Sequence, residues 1–241
     1  GIRRASLTLA ADTQALGRTR GEGVRVRPGD GHAVYYRDLV RRGYNACATA
    51  YAAARQRDDS DQLNHLLPLL SEGSDVLDLG CGAGVPIALA LSESHSVTGV
   101  DASENLLDMA KVAVPSGRFI LSDIMEVDLD EGSFDAAVAM FVLFHLPRVE
   151  HGEVFRLVHS WLRSGGYFLA TLSERPEAPY TEEDFFGVQM FWSNWGWSEY
   201  EELLLGTGFE LVESRIIGHG YGRRHQGRDE QHPMVLARKV W

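Results

Sequence analysis

Hydrophobic and polar positions change rhythm three times along this chain. From Val34 to Arg57 they follow a helical pattern, with Ala-rich turns and tyrosines at 35, 36, 44 and 51. A polar "DDSD" and a short apolar "QLNHLLPLL" complete an expected helical cap over residues 31–73. From Asp75 onward, apolar runs and helical segments alternate. "DVLDLG", "SVTGVD", "GRFILSD", "SFDAAVAMFVLFHL" and "YFLATLS" read as five strands. Between them "VPIALALSES", "SENLLDMAKVAV" and "EHGEVFRLVHSWLR" read as helices, the second capped by Ser103 and the third stopped at Gly165-Gly166. Such alternation predicts a mainly parallel sheet with helices on both faces.

After Pro176 the pattern becomes irregular and aromatic, so residues 176–197 are expected to form a lid or substrate segment. A helix "WSEYEELLLGTG" follows. Two closing strands, "FELVESRIIG" and "HPMVLARKVW", are joined by a long polar loop that suits an antiparallel pair at a sheet edge.

Composition narrows the function classes. The chain has 241 residues, enough for one domain, and is 44% hydrophobic and 24% charged. No apolar run reaches the roughly 18–20 residues of a membrane span. Net charge is −11, with +3 in residues 1–30 and −14 in the rest. An acidic body repels a phosphate backbone, which argues against a nucleic-acid partner. The basic, Gly/Pro/Arg-rich residues 1–30 read as a flexible tail, with a targeting peptide as the other reading; residues 31–241 read as the domain. Cys47 and Cys81 form neither a disulfide framework nor a metal-ligand spacing, so no metal and a reducing, cytoplasmic location are expected.

Chemistry concentrates at the strand ends. Gly80, Gly82 and Gly84 follow the first strand of the alternating run, where open α/β sheets bind ligands. Their GxGxG spacing departs from the dinucleotide fingerprint, since position 85 is Val85, and no Gly-Lys-Ser/Thr marks a phosphate loop. A tight turn alone would also explain them. Asp101 ends the next strand, where a carboxylate can accept from both ribose hydroxyls; a helix N-terminal acid is the alternative. Asp123 ends the third strand, suited to an adenine amino group, with Ile124 against the ring. Together these residues describe a nucleoside ligand without phosphate.

In order and spacing, "VLDLGCGAG", "VTGVDAS", "RFILSDI" and "FDAAVAMFVLFHLP" resemble class I S-adenosylmethionine-dependent methyltransferases, from about Tyr44 to Lys239. "YNACATAYAAAR" and "MFWSNWGW" are similar to segments of a bacterial and fungal small-molecule group. The resemblance implies a seven-stranded Rossmann-like sheet of order 3-2-1-4-5-7-6 with the last strand antiparallel. It implies S-adenosylmethionine as cofactor, S-adenosylhomocysteine as product, and a small organic acceptor methylated at O or N. It places Asp78 and Gly80 under the methionine moiety, Asp101 at the ribose, and Asp123 and Ile124 at the adenine, with Gly82 and Ala102 also cofactor-binding. Phe141 and Val142 would line the sulfonium side, and Tyr44 and Tyr51 would cover the cofactor. His145 is the candidate base, with a structural histidine as the equal alternative; His219, His225 and His232 are weaker candidates. Phe191, Trp192, Asn194 and Trp195 are the candidate acceptor residues, within an aromatic cluster that could equally be core. Asn45 and Asn194 depart from the group's usual Asp and His. The other functional readings are a non-transfer cyclase or isomerase on this fold, and a non-catalytic regulator that binds the cofactor.

Overall fold

A computed structural model describes residues 24–25, 32–55, 60–218 and 231–240. In chain order they form β1 (Val24–Arg25), α1 (Ala33–Arg55), two 3-10 turns (Asp61–His65 and Leu67–Leu69) and β2 (Asp75–Leu79). Then come α2 (Ile87–Leu91), β3 (Ser96–Asp101), α3 (Glu104–Ala113), β4 (Arg118–Leu121) and β5 (Phe134–Ala139). Two 3-10 turns (Leu143–His145 and Arg148–Glu150) lead into α4 (His151–Trp161) and β6 (Leu162–Thr171). The remainder is β7 (Glu177–Phe185), β8 (Val188–Asn194), α5 (Trp197–Thr207), β9 (Phe209–Gly218) and β10 (Gln231–Lys239).

The main sheet has the order β4-β3-β2-β5-β6-β10-β9. Numbered within that sheet, this is 3-2-1-4-5-7-6, as expected. The five strands from β4 to β6 are parallel, and β10 runs antiparallel to both β6 and β9. Central strands buried on both faces must be apolar at successive positions. In β2, Val76 faces one core with Leu91 of α2, while Leu77 and Leu79 face another with Phe155 and Trp161 of α4. The chain leaves β2 toward β3 on one side and leaves β5 toward β6 on the other. Their carboxyl ends therefore open a crevice.

Four elements differ from the pattern-based reading. Residues 176–197 are largely ordered: β7 and β8 make an antiparallel hairpin, joined by β1 into a three-stranded sheet. Its turn, Phe186-Gly187, has φ 52° and 82°, a twist that matches hairpin strands. Phe-Gly lacks the Asn or Asp that usually advertises such a turn, and the acids Glu182–Asp184 hide the strand. The run "FDAAVAMFVLFHL" is split, because Phe141 adopts φ 58° and cannot continue a strand. Helix α4 stops at Trp161, before the glycine pair, since Leu162 is already extended and pairs with Phe134. "QLNHLLPLL" forms 3-10 turns rather than one helix, with Pro68 opening the second.

β1 falls within the segment expected to be a flexible tail; Val24 and Arg25 pair with Thr181 and Tyr180. The rest of residues 1–31 and the loop bearing His219 and His225 lie outside the described residues. Among the described residues no helix is long and apolar enough to cross a membrane.

Candidate active site

Above the crevice lies a cavity of about 80 Å³. Its floor is the loop after β2. Gly80 has φ +66°, and a Cβ there would sit 2.3 Å from Val142. Gly82 has φ +55°, and a Cβ would meet only Tyr51, at 3.9 Å. Glycine is thus required at Gly80 by both backbone and space, and at Gly82 by backbone alone.

Three carboxylates stand at successive strand ends. Asp101 Oδ2 accepts from the Gly82 N–H at 2.8 Å and Oδ1 from the Ser103 N–H at 2.8 Å. It therefore clamps the glycine loop to the start of α3. Burial raises its pKa, opposed by those backbone donors. Asp123 Oδ1 accepts from the Met125 N–H at 2.9 Å. Asp78, at the end of β2, is 2% exposed, and its Oδ2 has no hydrogen-bond partner among the described residues. Burial first, then the Asp101 charge, push its pKa up to about 8, against the pull of Arg55.

The roof is α1. Tyr44 and Tyr51, two turns apart on one helix face, pack edge to face with centroids 4.9 Å apart. Arg37, two further turns back, donates from Nε to Asp123 Oδ2 at 2.6 Å and from Nη1 to Glu150 Oε1. Asn45 Oδ1 accepts from the Ser103 hydroxyl at 2.9 Å, and its carbonyl accepts from Asn105 Nδ2 at 2.8 Å. These bonds seat the helix on Asp123 and on the segment just after Asp101.

A family pattern described as a methyltransferase domain matches residues 76–166, which spans the loop, all three acids and the crevice. Residues 76–166 thus resemble a methyltransferase domain, and the fold is the Rossmann-like fold of S-adenosylmethionine-dependent methyltransferases. This methyltransferase fold is 33% identical over 131 residues to trans-aconitate 2-methyltransferase of an Enterobacter species, covering 54% of this chain and 50% of that one. It is 31% identical over 116 residues to an uncharacterized methyltransferase of Synechocystis, covering 46% and 55%. The chain spans about half the length of the curated relatives it matches. Among solved structures it resembles the 1,6-didemethyltoxoflavin-N1-methyltransferase of Burkholderia thailandensis, seen with its acceptor and S-adenosylhomocysteine bound. The TM-score is 0.69 and the identity 21%, covering 91% of this chain and 95% of that one.

Of the expected cofactor residues, all but Asp78 line the cavity, and His145 lines it too. Arg37 also lines it and was not anticipated, since helical periodicity does not reveal a partner 86 positions away. His145 is 5% exposed and bonded at both ring nitrogens: Nε2 lies 2.7 Å from the Tyr44 hydroxyl and Nδ1 3.0 Å from the Phe191 carbonyl. Burial pulls its pKa down to about 4.

The four expected acceptor residues do not line the cavity. Phe191 is fully buried and stacks on Tyr36 at 4.1 Å. Asn194 Nδ2 donates to Glu177 at 2.7 Å. The Trp195 indole N–H donates to the Arg148 carbonyl at 2.6 Å, beneath the Arg148 guanidinium. Trp192 comes nearest, its ring centroid 4.3 Å from that of His145. His232 packs instead against Phe144, at 4.9 Å.

Proposed function

We propose that this chain catalyses methyl transfer from S-adenosylmethionine to a small organic acceptor at oxygen or nitrogen. The observation that carries the reading is the unpartnered, buried Asp78 oxygen beside a glycine loop clamped by Asp101. A buried carboxylate without a partner is costly, and an α-ammonium group would satisfy it. Asp101 keeps lone pairs for ribose hydroxyls, while Asp123 and Ile124 suit an adenine edge and face. The loop carries no Lys or Arg to meet a pyrophosphate, which favours this nucleoside over a dinucleotide.

The bound cofactor supplies an electrophilic methyl group. This chain's residues align, desolvate and deprotonate around it. Phe141 and Val142 form the wall at the switch point, and Tyr44 and Tyr51 close over it from α1. At about 80 Å³ the cavity is far below the roughly 300–1,000 Å³ of ligand pockets. The α1 wall must therefore withdraw to admit a nucleoside. Trp192 backs His145, and we assign it to the acceptor side; Phe191, Asn194 and Trp195 support the hairpin around it. Both cysteines are free and buried, which supports a reducing, cytoplasmic setting.

Calorimetry with S-adenosylmethionine and S-adenosylhomocysteine tests the reading, followed by labelled-methyl transfer to a panel of small acceptors. Binding of both with release of S-adenosylhomocysteine is expected. Binding without transfer would leave a regulator, and no binding would end the proposal.

A further inference from the structure

We propose that Thr171, a buried threonine at the end of β6, is a positioning residue for the sulfur side of the cofactor site, acting through the backbone of Phe141. The inference deepens the methyl-transfer proposal and rests on it.

Two non-glycine residues among the described ones have positive φ, Phe141 and Phe186. Phe186 lies in the hairpin turn, which calls for that twist. Phe141 lies two residues beyond the end of β5, where no hairpin requires it. A bulky residue enters the left-handed region at a conformational cost, so its surroundings must hold it there.

The hold comes from a side chain 30 positions later. The Phe141 N–H, already past the last residue of β5, donates to Thr171 Oγ1. Thr171 is 0% exposed and pairs with Met234 of β10. Its branched side chain has little rotational freedom, so the oxygen is offered from one fixed place.

The turn at Phe141 decides where the next residues go. An extended residue there would carry the chain onward along β5. The left-handed turn instead presses Val142 onto the glycine loop, where a Cβ on Gly80 would lie 2.3 Å from its side chain. It also leads into the 3-10 turn Leu143–His145, in which the His145 N–H donates to the Val142 carbonyl at 3.1 Å. That turn brings His145 within 2.7 Å of the Tyr44 hydroxyl. Phe141, Val142 and His145 all line the cavity, and Thr171 does not. One buried oxygen thus sets three positions of the wall without touching a ligand.

The nucleoside end is fixed independently. Asp101 is held by Gly82 and Ser103, and Asp123 by Met125 and Arg37. Loss of the Thr171 oxygen should therefore slacken the sulfur end and leave the ribose and adenine end in place.

Calorimetry on the full chain with two probes separates these ends, since S-adenosylhomocysteine spans both and adenosine only one. Thr171→Val removes the acceptor that the Phe141 N–H uses and nearly keeps the side-chain shape. It should weaken S-adenosylhomocysteine by about 10-fold or more and leave adenosine within about threefold. Thr171→Ser keeps the oxygen and should bind S-adenosylhomocysteine within about threefold of the parent. Hydrogen exchange without ligand should show the Phe141 amide exchanging faster in the valine variant and close to the parent rate in the serine one.

Unchanged affinity in a folded Thr171→Val protein would overturn the inference. So would equal weakening of both probes, or a serine variant as weak as the valine one, since either makes Thr171 a packing residue. Where Thr171→Val does not fold, Thr171→Ala carries the same comparison, and failure of both to fold overturns the positioning role. A parent that binds neither probe would remove the methyl-transfer reading itself, a separate result, and exchange of the Phe141 amide would still report the hold from Thr171.

Discussion

The floor and the roof of the cavity are secured over very different distances along the chain. On the floor, Asp101 reaches 2 positions to Ser103 and 19 to Gly82, and Asp123 reaches 2 to Met125. In the roof, Arg37 reaches 86 positions to Asp123 and 113 to Glu150, and Tyr44 reaches 101 to His145. Floor bonds form as soon as the βαβ units form. Roof bonds exist only once α1 has docked on the strand ends. The floor is thus held by local contacts and the roof by long-range ones, which predicts that the roof loosens first.

The largest expected effect comes from cutting the roof at its most charged point. The Arg37 side chain is 10% exposed, and its partners Asp123 and Glu150 are 21% and 16% exposed. Arg37→Ala leaves two half-buried carboxylates facing each other, at a cost of about 2–3 kcal/mol, less than for a fully buried pair. The melting temperature should fall by roughly 5–10 °C. Hydrogen exchange should show faster exchange in α1 with β2, β3 and β5 unchanged. Equal loosening of the sheet would erase the distinction between floor and roof.

Next in size is the floor clamp. Asp101→Ala should weaken S-adenosylmethionine by about 10–100-fold, through loss of charge-assisted bonds to the ribose and of the Gly82 tether. Calorimetry on the folded variant measures it, and unchanged affinity would detach Asp101 from the site.

A pH series sharpens the floor further. Asp78, raised to about 8, is protonated below that pH, and pairing with an ammonium requires the ionised form. Affinity for S-adenosylmethionine should therefore rise with pH by up to about tenfold per unit until about pH 8, then level off. Asp78→Asn should flatten the curve. A parent curve already flat from pH 6 to 8 would mean that the ligand does not face this carboxylate.

The smallest effect belongs to the hairpin turn. Gly187 has φ +82° with open space around its Cβ position, so Gly187→Ala meets backbone strain alone, about 1 kcal/mol. Gly187→Asn should recover part of it. Chemical denaturation compares the two variants with the parent, and a loss well above 1 kcal/mol would show packing that the open space does not predict.

The same difference in reach explains what the amino-acid pattern disclosed. Glycines after a strand, and acids ending the next two, are local signals, so the strands and most of the cavity wall could be read before any coordinates, while the sheet order followed from the family resemblance. Asp78, Asp101 and Asp123 stand at the strand ends where the alternation put them. The partner of Arg37 has no such signal, and neither does the Phe191 carbonyl, since any residue there would supply one. Phe191, Trp192, Asn194 and Trp195 were grouped by aromatic composition. Composition does not distinguish a ring that faces a ligand from one that faces Tyr36 or Arg148. The alternation that could have revealed β7 was masked by three consecutive acids.

Two residues outside the main fold carry a practical consequence. Val24 and Arg25 cover part of the outer edge of β7, the strand whose other edge pairs with β8. A chain shortened to begin at α1 would leave those β7 backbone groups unpaired and available to a neighbouring molecule. Self-association that grows with protein concentration is the expected penalty of such trimming. The protein's shelf life in solution would then depend on a strand of two residues, outside the main sheet.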